Sequence, residues 1–191
     1  MSASGDTIVD EWNTVRTPPP PELKPVTVEP RETALLILDV QHQNCNPRRR
    51  PRCVASIAKI QSLLTEVRNR GMPVIYSLTR NASTADIREE VSPQPGDPIV
   101  KSGVDKFHGT ELEEILRAKE IQTVILVGTS AHGAVLHTAT GAAMRGFRVI
   151  VPVDGMSAGD PYAEQYTSWH LVNGPGTRRQ TTLTCIDLIR W

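Results

Sequence analysis

The sequence predicts an α/β domain, a doubly wound, Rossmann-like sheet of about six mostly parallel strands with helices on both faces. Three observations carry that expectation. Ala34–Leu38 and Val124–Val127 are short, wholly apolar runs, the pattern of parallel strands buried on both sides. Segments with apolar residues at helical spacing alternate with such runs. Gly71, Gly128 and Gly146 fall where one period gives way to the other, as helix stops or tight turns.

The elements follow in order. Residues 1–31 form a Pro-rich arm: Pro18, Pro19, Pro20, Pro21, Pro25 and Pro30 disfavour helix and bias the chain toward extended geometry. The arm either stays mobile or packs through Trp12, Leu23, Val26 and Val28. The expected domain spans residues 32–191. Ala34–Leu38 is its first strand, with Asp39 at the carboxyl end, and residues 40–52 form a polar loop. Cys53–Arg70 places Val54, Ile57, Ile60, Leu63, Leu64 and Val67 on one helical face. Pro73–Leu78 is the next strand, followed by a long loop to Pro98 and a short extended piece before Lys101. Thr110 caps a helix running to about Lys119, with Glu111, Glu113 and Glu114 at the positive end of its dipole. After the central strand and its helix come a strand at Arg148–Val153, a helix at Tyr162–Val172 and a strand at Thr181–Thr184.

Composition excludes several classes. The 191 residues carry 21 Lys and Arg against 21 Asp and Glu, so the net charge is zero and no concentrated basic surface for nucleic acid or anionic membrane is expected. The run Arg48, Arg49, Arg50, Pro51, Arg52 is the local exception, read as a solvated loop or as an anion or subunit contact. No apolar stretch approaches the roughly 20 residues that span a bilayer. MSASGDTIVDEWN has acidic residues and no apolar core, so it is not read as a secretory leader. Cys45, Cys53 and Cys185 are odd in number and lack metal-site spacing, which suits free thiols in a reducing compartment. The expectation is a cytoplasmic protein that acts on a small molecule and assembles as a homodimer or higher homo-oligomer. No Gly-x-Gly-x-x-Gly pattern is present, and no cofactor is expected.

Ligands of open parallel sheets bind beyond the carboxyl ends of the strands, so Thr129–Ala134 should face the site. There the N–H groups of Gly133, Ala134 and Val135 would start a helix and favour negative charge or a carbonyl oxygen. The turn carries no nucleophile at its apex, which reads Gly133-Ala134. Ser130, His132 and Cys45 lie nearby but off the apex, and are read as structural in that respect. Further substrate-binding candidates are Gln41, which follows Asp39 by two residues, Phe107 as a pocket wall, and Ser130, His132, Gly133 and Val135 around the turn.

Together the residues Ala34-Leu-Leu-Ile-Leu-Asp-Val-Gln41, Val100-Lys101 with Phe107 after it, Gly128-Thr-Ser-Ala-His-Gly-Ala-Val135 followed by Thr138-Ala139, and Val153-Asp154-Gly155 resemble the isochorismatase-like, or cysteine hydrolase, superfamily. That resemblance implies a catalytic Asp at Asp39, a Lys at Lys101 and the usual Cys position at Ala134. It also implies a non-proline cis peptide at Thr129–Ser130. A zinc site like that of nicotinamidases would need an Asp-x-His pair; Asp39-Val40-Gln41-His42 has the wrong spacing, so no metal is expected.

Alanine at the thiol position decides the expected chemistry. Members with a Cys attack a carbonyl covalently, which Ala134 cannot do. True isochorismatases, which the Ala-His sequence ahead of a small residue resembles, hydrolyse a vinyl ether without a covalent intermediate. There Asp39 would serve as general acid or base with the lysine beside it, burial favouring the protonated acid and the amine opposing it. The alternatives are an amidase-type C–N hydrolase, if Ala134 replaces a native Cys or Asp39 activates water directly, and a non-catalytic binding protein on the same scaffold.

Overall fold

The computed structural model describes residues 7–191. In chain order the elements are β1 (Val26–Thr27), β2 (Thr33–Leu38), α1 (Pro51–Asn69), β3 (Val74–Thr79), β4 (Ile99–Ser102), α2 (Leu112–Ala118), β5 (Thr123–Thr129), α3 (Leu136–Met144), β6 (Arg148–Pro152), β7 (Met156–Ser157), α4 (Pro161–Asn173), β8 (Thr181–Thr184) and β9 (Ile189–Arg190). Strands β4-β3-β2-β5-β6-β8 run side by side, all parallel, and short β7 adds to the end of β5. The α/β expectation holds. The chain winds outward from β2 to β4, then returns across β2 to β5 and winds the other way, so the order reverses between β2 and β5.

Alternation along β2 sorts the core into two layers. Ala34, Leu36 and Leu38 pack with Leu112 and Leu116 of α2, Leu136 and Ala139 of α3 and Leu171 of α4. Leu35 and Ile37 face α1 through Ile57, Ile60, Leu63, Leu64 and Val67. All six β2 residues are buried, as a strand covered on both faces requires. Where β2 and β5 run closest, a Cβ on Gly128 would stand 2.1 Å from the Leu38 carbonyl oxygen, and Gly128 has φ +125°. Glycine alone fits there, and the strand ends meet at contact distance.

Three local expectations change. The helix expected straight after Gly128 begins as a π-helical turn, Ala131–Val135, before α3. The N–H groups of Gly133 and Val135 both donate to the Ser130 carbonyl, at 3.0 and 3.2 Å, which widens that turn. The arm lies along the domain: β1 pairs in parallel with β9, Lys24 N–H donates to Leu183 O, and Trp12 sits edge-on to Tyr162 at 6.2 Å between ring centroids. The cysteines are the clearest correction. Cys45 and Cys53 are bonded to each other across eight positions, and only Cys185 is a free thiol. The polar loop folds back on the first turn of α1 and buries both sulphur-bearing residues completely, a closure that counting three scattered cysteines does not reveal.

Candidate active site

Asp39 leaves β2 with φ +51°, a left-handed backbone that a short acidic residue tolerates, and this turns its side chain over the sheet edge. Its Oδ1 accepts a hydrogen bond from Ser77 Oγ at 2.8 Å, from the neighbouring end of β3. Oδ2 accepts one from Lys106 Nζ, also at 2.8 Å. Lys106 is wholly buried, and its Nζ also donates to Gly103 O at 2.7 Å. The loop that presents it is held tightly. Lys106 N–H donates to Thr138 Oγ1 of α3, Ser102 Oγ donates to the carbonyls of Asp105 and His108, and Thr110 Oγ1 donates to Lys106 O.

Lys101 does not take that place. It lies on edge strand β4 between buried Val100 and Ser102, and strand alternation sends it to solvent. The amine at Asp39 comes five positions later, from the loop. Lysine in a polar loop gives no periodic signal, so Lys106 does not stand out in the sequence; its place directly before the buried Phe107 is the one local sign.

Asp39 and Ala134 line one cavity of about 300 Å³ at the point where the strand order reverses. Its walls come from the ends of four strands and their loops: Asp39 and Asn44 after β2, Thr79 and Arg80 at the end of β3, Ser102, Gly103 and Val104 at the end of β4, and Thr129, Ser130 and Ala134 at the end of β5. Arg49 and Arg50 close it from the disulfide-bonded loop. The peptide between Thr129 and Ser130 is cis, where the resemblance placed it. A larger hollow of about 430 Å³ lies between the arm and α4, lined by Pro18, Pro21, Trp169 and Arg178 among others. It is remote from the Asp39–Lys106 pair.

Of the other sequence candidates, Ser130 lines the cavity; Gln41, Phe107, His132, Gly133 and Val135 do not. Gln41 is fully buried and braces the end of β3, its Oε1 accepting from Thr79 N–H at 3.0 Å. Phe107 stacks on Phe147 at 6.0 Å in the core, with the Arg145 guanidinium over its ring. His132 is exposed. Ser130 O occupies the N–H groups of Gly133 and Val135, so neither is free to serve an oxyanion. Ser77, Asn44, Thr79, Arg80 and Val104 were not singled out in the sequence. They reach the site only because parallel strands end together.

Burial pushes the Arg50 guanidinium below its usual pKa, adjacent Arg49 adds to that effect, and Asp39 opposes it. Among the described residues no group of three or more His, Cys, Asp or Glu side chains gathers to hold a metal ion, and no helix is long and apolar enough to cross a membrane.

Residues 33–184 match the isochorismatase domain. The chain belongs to the isochorismatase family. It is 30% identical over 148 residues to a secreted isochorismatase effector of Verticillium dahliae, covering 71% of this chain and 78% of that protein. It is 27% identical over 153 residues to an N-carbamoylsarcosine amidase of Arthrobacter, covering 65% of this chain and only 58% of the relative. The crystal structure of an N-carbamoylsarcosine amidase from Thermoplasma acidophilum superposes with a TM-score of 0.69 at 26% identity, over 82% of this chain and 97% of the other. These relatives make this chain an isochorismatase-family hydrolase.

Proposed function

We propose that the protein hydrolyses a small molecule without a covalent enzyme intermediate, with Asp39 and Lys106 as its acid–base pair. One observation carries the reading: a carboxylate held by a buried amine lines a cavity that Ala134 also lines, with a methyl group where the family's thiol would stand. For a vinyl ether the step runs from Asp39 carrying a proton. That proton goes to the terminal alkene carbon, the C–O oxygen stabilises the resulting oxocarbenium ion, and water adds to the cationic carbon as the Asp39 carboxylate takes up its proton. The hemiketal then collapses to a carbonyl compound and an alcohol. Lys106 holds Asp39 in place through its hydrogen bond to Oδ2.

The relatives named as amidases favour a second reading of the same cavity, in which Asp39 as carboxylate activates water against an amide and Ala134 N–H receives the oxyanion. A panel of vinyl ethers, amides and ureas separates the two, with Asp39→Asn and Lys106→Ala as inactive controls. Turnover lost in both variants supports the proposal. No turnover by the parent chain on any substrate supports the third reading, a binding protein on this scaffold.

Two wider expectations join the proposal. The Cys45–Cys53 bond and the secreted relative favour a compartment that keeps thiols oxidised over the cytoplasmic location expected from the sequence. Thiol titration of protein isolated without reductant decides it: one reactive group per chain supports oxidation, and three restore the cytoplasmic reading. The expected homodimer or higher homo-oligomer is tested by sedimentation velocity, where monomer mass at micromolar concentration removes it.

A further inference from the structure

We propose that the hollow between the proline arm and α4 is a second ligand site, separate from the Asp39 cavity, that takes a polyhydroxylated ring, a sugar or a cyclitol. The hollow measures about 430 Å³ and shares no lining residue with the Asp39 cavity. The sequence explains why it stays open. Pro18, Pro19, Pro20 and Pro21 fix four successive φ angles and offer no N–H, so this strap can neither coil nor donate to the strand beside it. Both of its flanks are fastened: Trp12 rests edge-on against Tyr162 in the first turn of α4, and Lys24 N–H donates to Leu183 O of β8 at 2.9 Å. A stiff segment held on either side stands off the helix between the two points.

The floor carries the observation that calls for a ligand. Thr181 lines the hollow and is only 9% exposed, yet its Oγ1 has no hydrogen-bond partner among the described residues. Buried hydroxyls are ordinarily paired, and one left over beside a hollow is suited to a visiting group. Strand alternation aims this side chain at α4, because Leu183, two residues on, belongs to the same core layer as Leu171 of that helix. One staggered step about χ1 exchanges the Thr181 hydroxyl with its methyl group and hands it to a ligand lying on the floor. The walls set the ligand's class. Trp169, 41% exposed, presents an indole from α4, and the facing wall is made of pyrrolidine rings. The negative face of an indole attracts the polarised C–H face of a sugar ring, whereas a flat base between two walls would call for a second aromatic group. Around that platform stand groups that donate and accept, as ring hydroxyls require. Asn173 Nδ2 donates to Trp169 O at 2.8 Å, which orients its amide and turns Oδ1 to acceptance. Glu22, Lys24 and Arg178 bring both signs of charge to the same wall, with Glu22 and Lys24 3.7 Å apart, so a neutral ligand fits better than an ion.

Isothermal titration of the full chain tests the site with three probes: maltose, myo-inositol and adenine. Maltose or myo-inositol binds, and adenine does not. Binding of maltose alone identifies a sugar, of myo-inositol alone a cyclitol, and either supports the site. Trp169→Ala weakens the binding polyol by about tenfold or more, the loss of the platform on which the ring lies. Thr181→Val keeps the shape of the side chain and removes the hydroxyl, so it weakens binding by about three- to tenfold. The same substitution leaves the melting temperature of the free protein unchanged or raised, since the hydroxyl has no partner to lose. That second readout separates recognition from misfolding, and Thr181→Ser, which returns the hydroxyl, recovers binding. Binding of neither polyol, adenine bound as tightly as the polyol, or affinity untouched by Trp169→Ala and Thr181→Val overturns the proposal. So does binding that Asp39→Asn abolishes and Thr181→Val spares, which belongs to the Asp39 cavity.

Discussion

Lys106 Nζ meets Asp39 Oδ2 at 2.8 Å, although 67 residues separate them and neither side chain is more than 7% exposed. Such a pair stabilises little as a pair, but removing one partner leaves a buried charge without compensation. Lys106→Met is therefore expected to lower stability by about 3–5 kcal/mol in urea unfolding and to abolish turnover. Asp39→Asn combined with Lys106→Met should recover much of the stability and none of the activity. Lys101→Met should change neither, because Lys101 faces solvent from an edge strand.

Ala134 occupies the first turn after β5 and lines the cavity with Asp39. A thiol introduced there enters the cavity within a frame that already holds the acid and the amine. Ala134→Cys is expected to be alkylated by iodoacetamide and to gain hydrolysis of small amides, and Lys106→Ala in that background should remove the gain. An alkylated but inert variant would show that the remaining groups do not form an amidase site.

The scaffold was legible because its signals are local. Apolar runs at Ala34–Leu38 and Val124–Val127 announce doubly covered strands, and Asp39 and Ala134 then fall at their carboxyl ends by counting. Lys106 was not legible, since a lysine in a loop looks solvated until Thr138 of a distant helix fixes the backbone that carries it. The same holds for Arg80 and Ser77, placed by the parallel register of β3 against β2. The bond between Cys45 and Cys53 escaped notice because it depends on the loop's path, which composition does not encode.

Gly128 allows β2 and β5 to end side by side. Gly128→Ala would press a methyl group to 2.1 Å from the Leu38 carbonyl oxygen, at a φ of +125° that alanine avoids. The expected effect is a loss on the order of 3 kcal/mol or more, since backbone cannot move aside as a flexible side chain does. Thermal unfolding checks it, and a melting temperature unchanged from the parent would contradict the close approach.

Tyr76 supplies a pH signature away from the cavity. Burial pushes its phenol up to about 12, Asp97 acts the same way, and Arg68 opposes them. The hydroxyl donates to Ser92 O at 3.2 Å and accepts from Arg68 Nη2 at 3.1 Å. A raised folded-state pKa means that the stability is fully present below the unfolded value of about 10 and is lost as pH climbs toward about 12. Urea unfolding from pH 9 to 12 should show the parent losing stability more steeply than Tyr76→Phe over that window.

The Cys45–Cys53 bond joins the loop carrying Arg49 and Arg50 to the first turn of α1, across eight positions. Closing so short a loop removes limited freedom from the unfolded chain, so the paired Cys45→Ser and Cys53→Ser variant is expected to lose about 2–3 kcal/mol. The native loop has other anchors: Asn46 Nδ2 donates to the carbonyls of His42 and Gln43, and Asn46 Oδ1 accepts from the N–H groups of Arg48 and Arg49. The fold should therefore survive without the bond, with the change concentrated in the loop. Hydrogen exchange supplies the measurement, with faster exchange expected at residues 44–53 and unchanged protection in β2 and β5. If the double variant is as stable as the parent and its loop exchanges no faster, the bond does not hold the arginines in place.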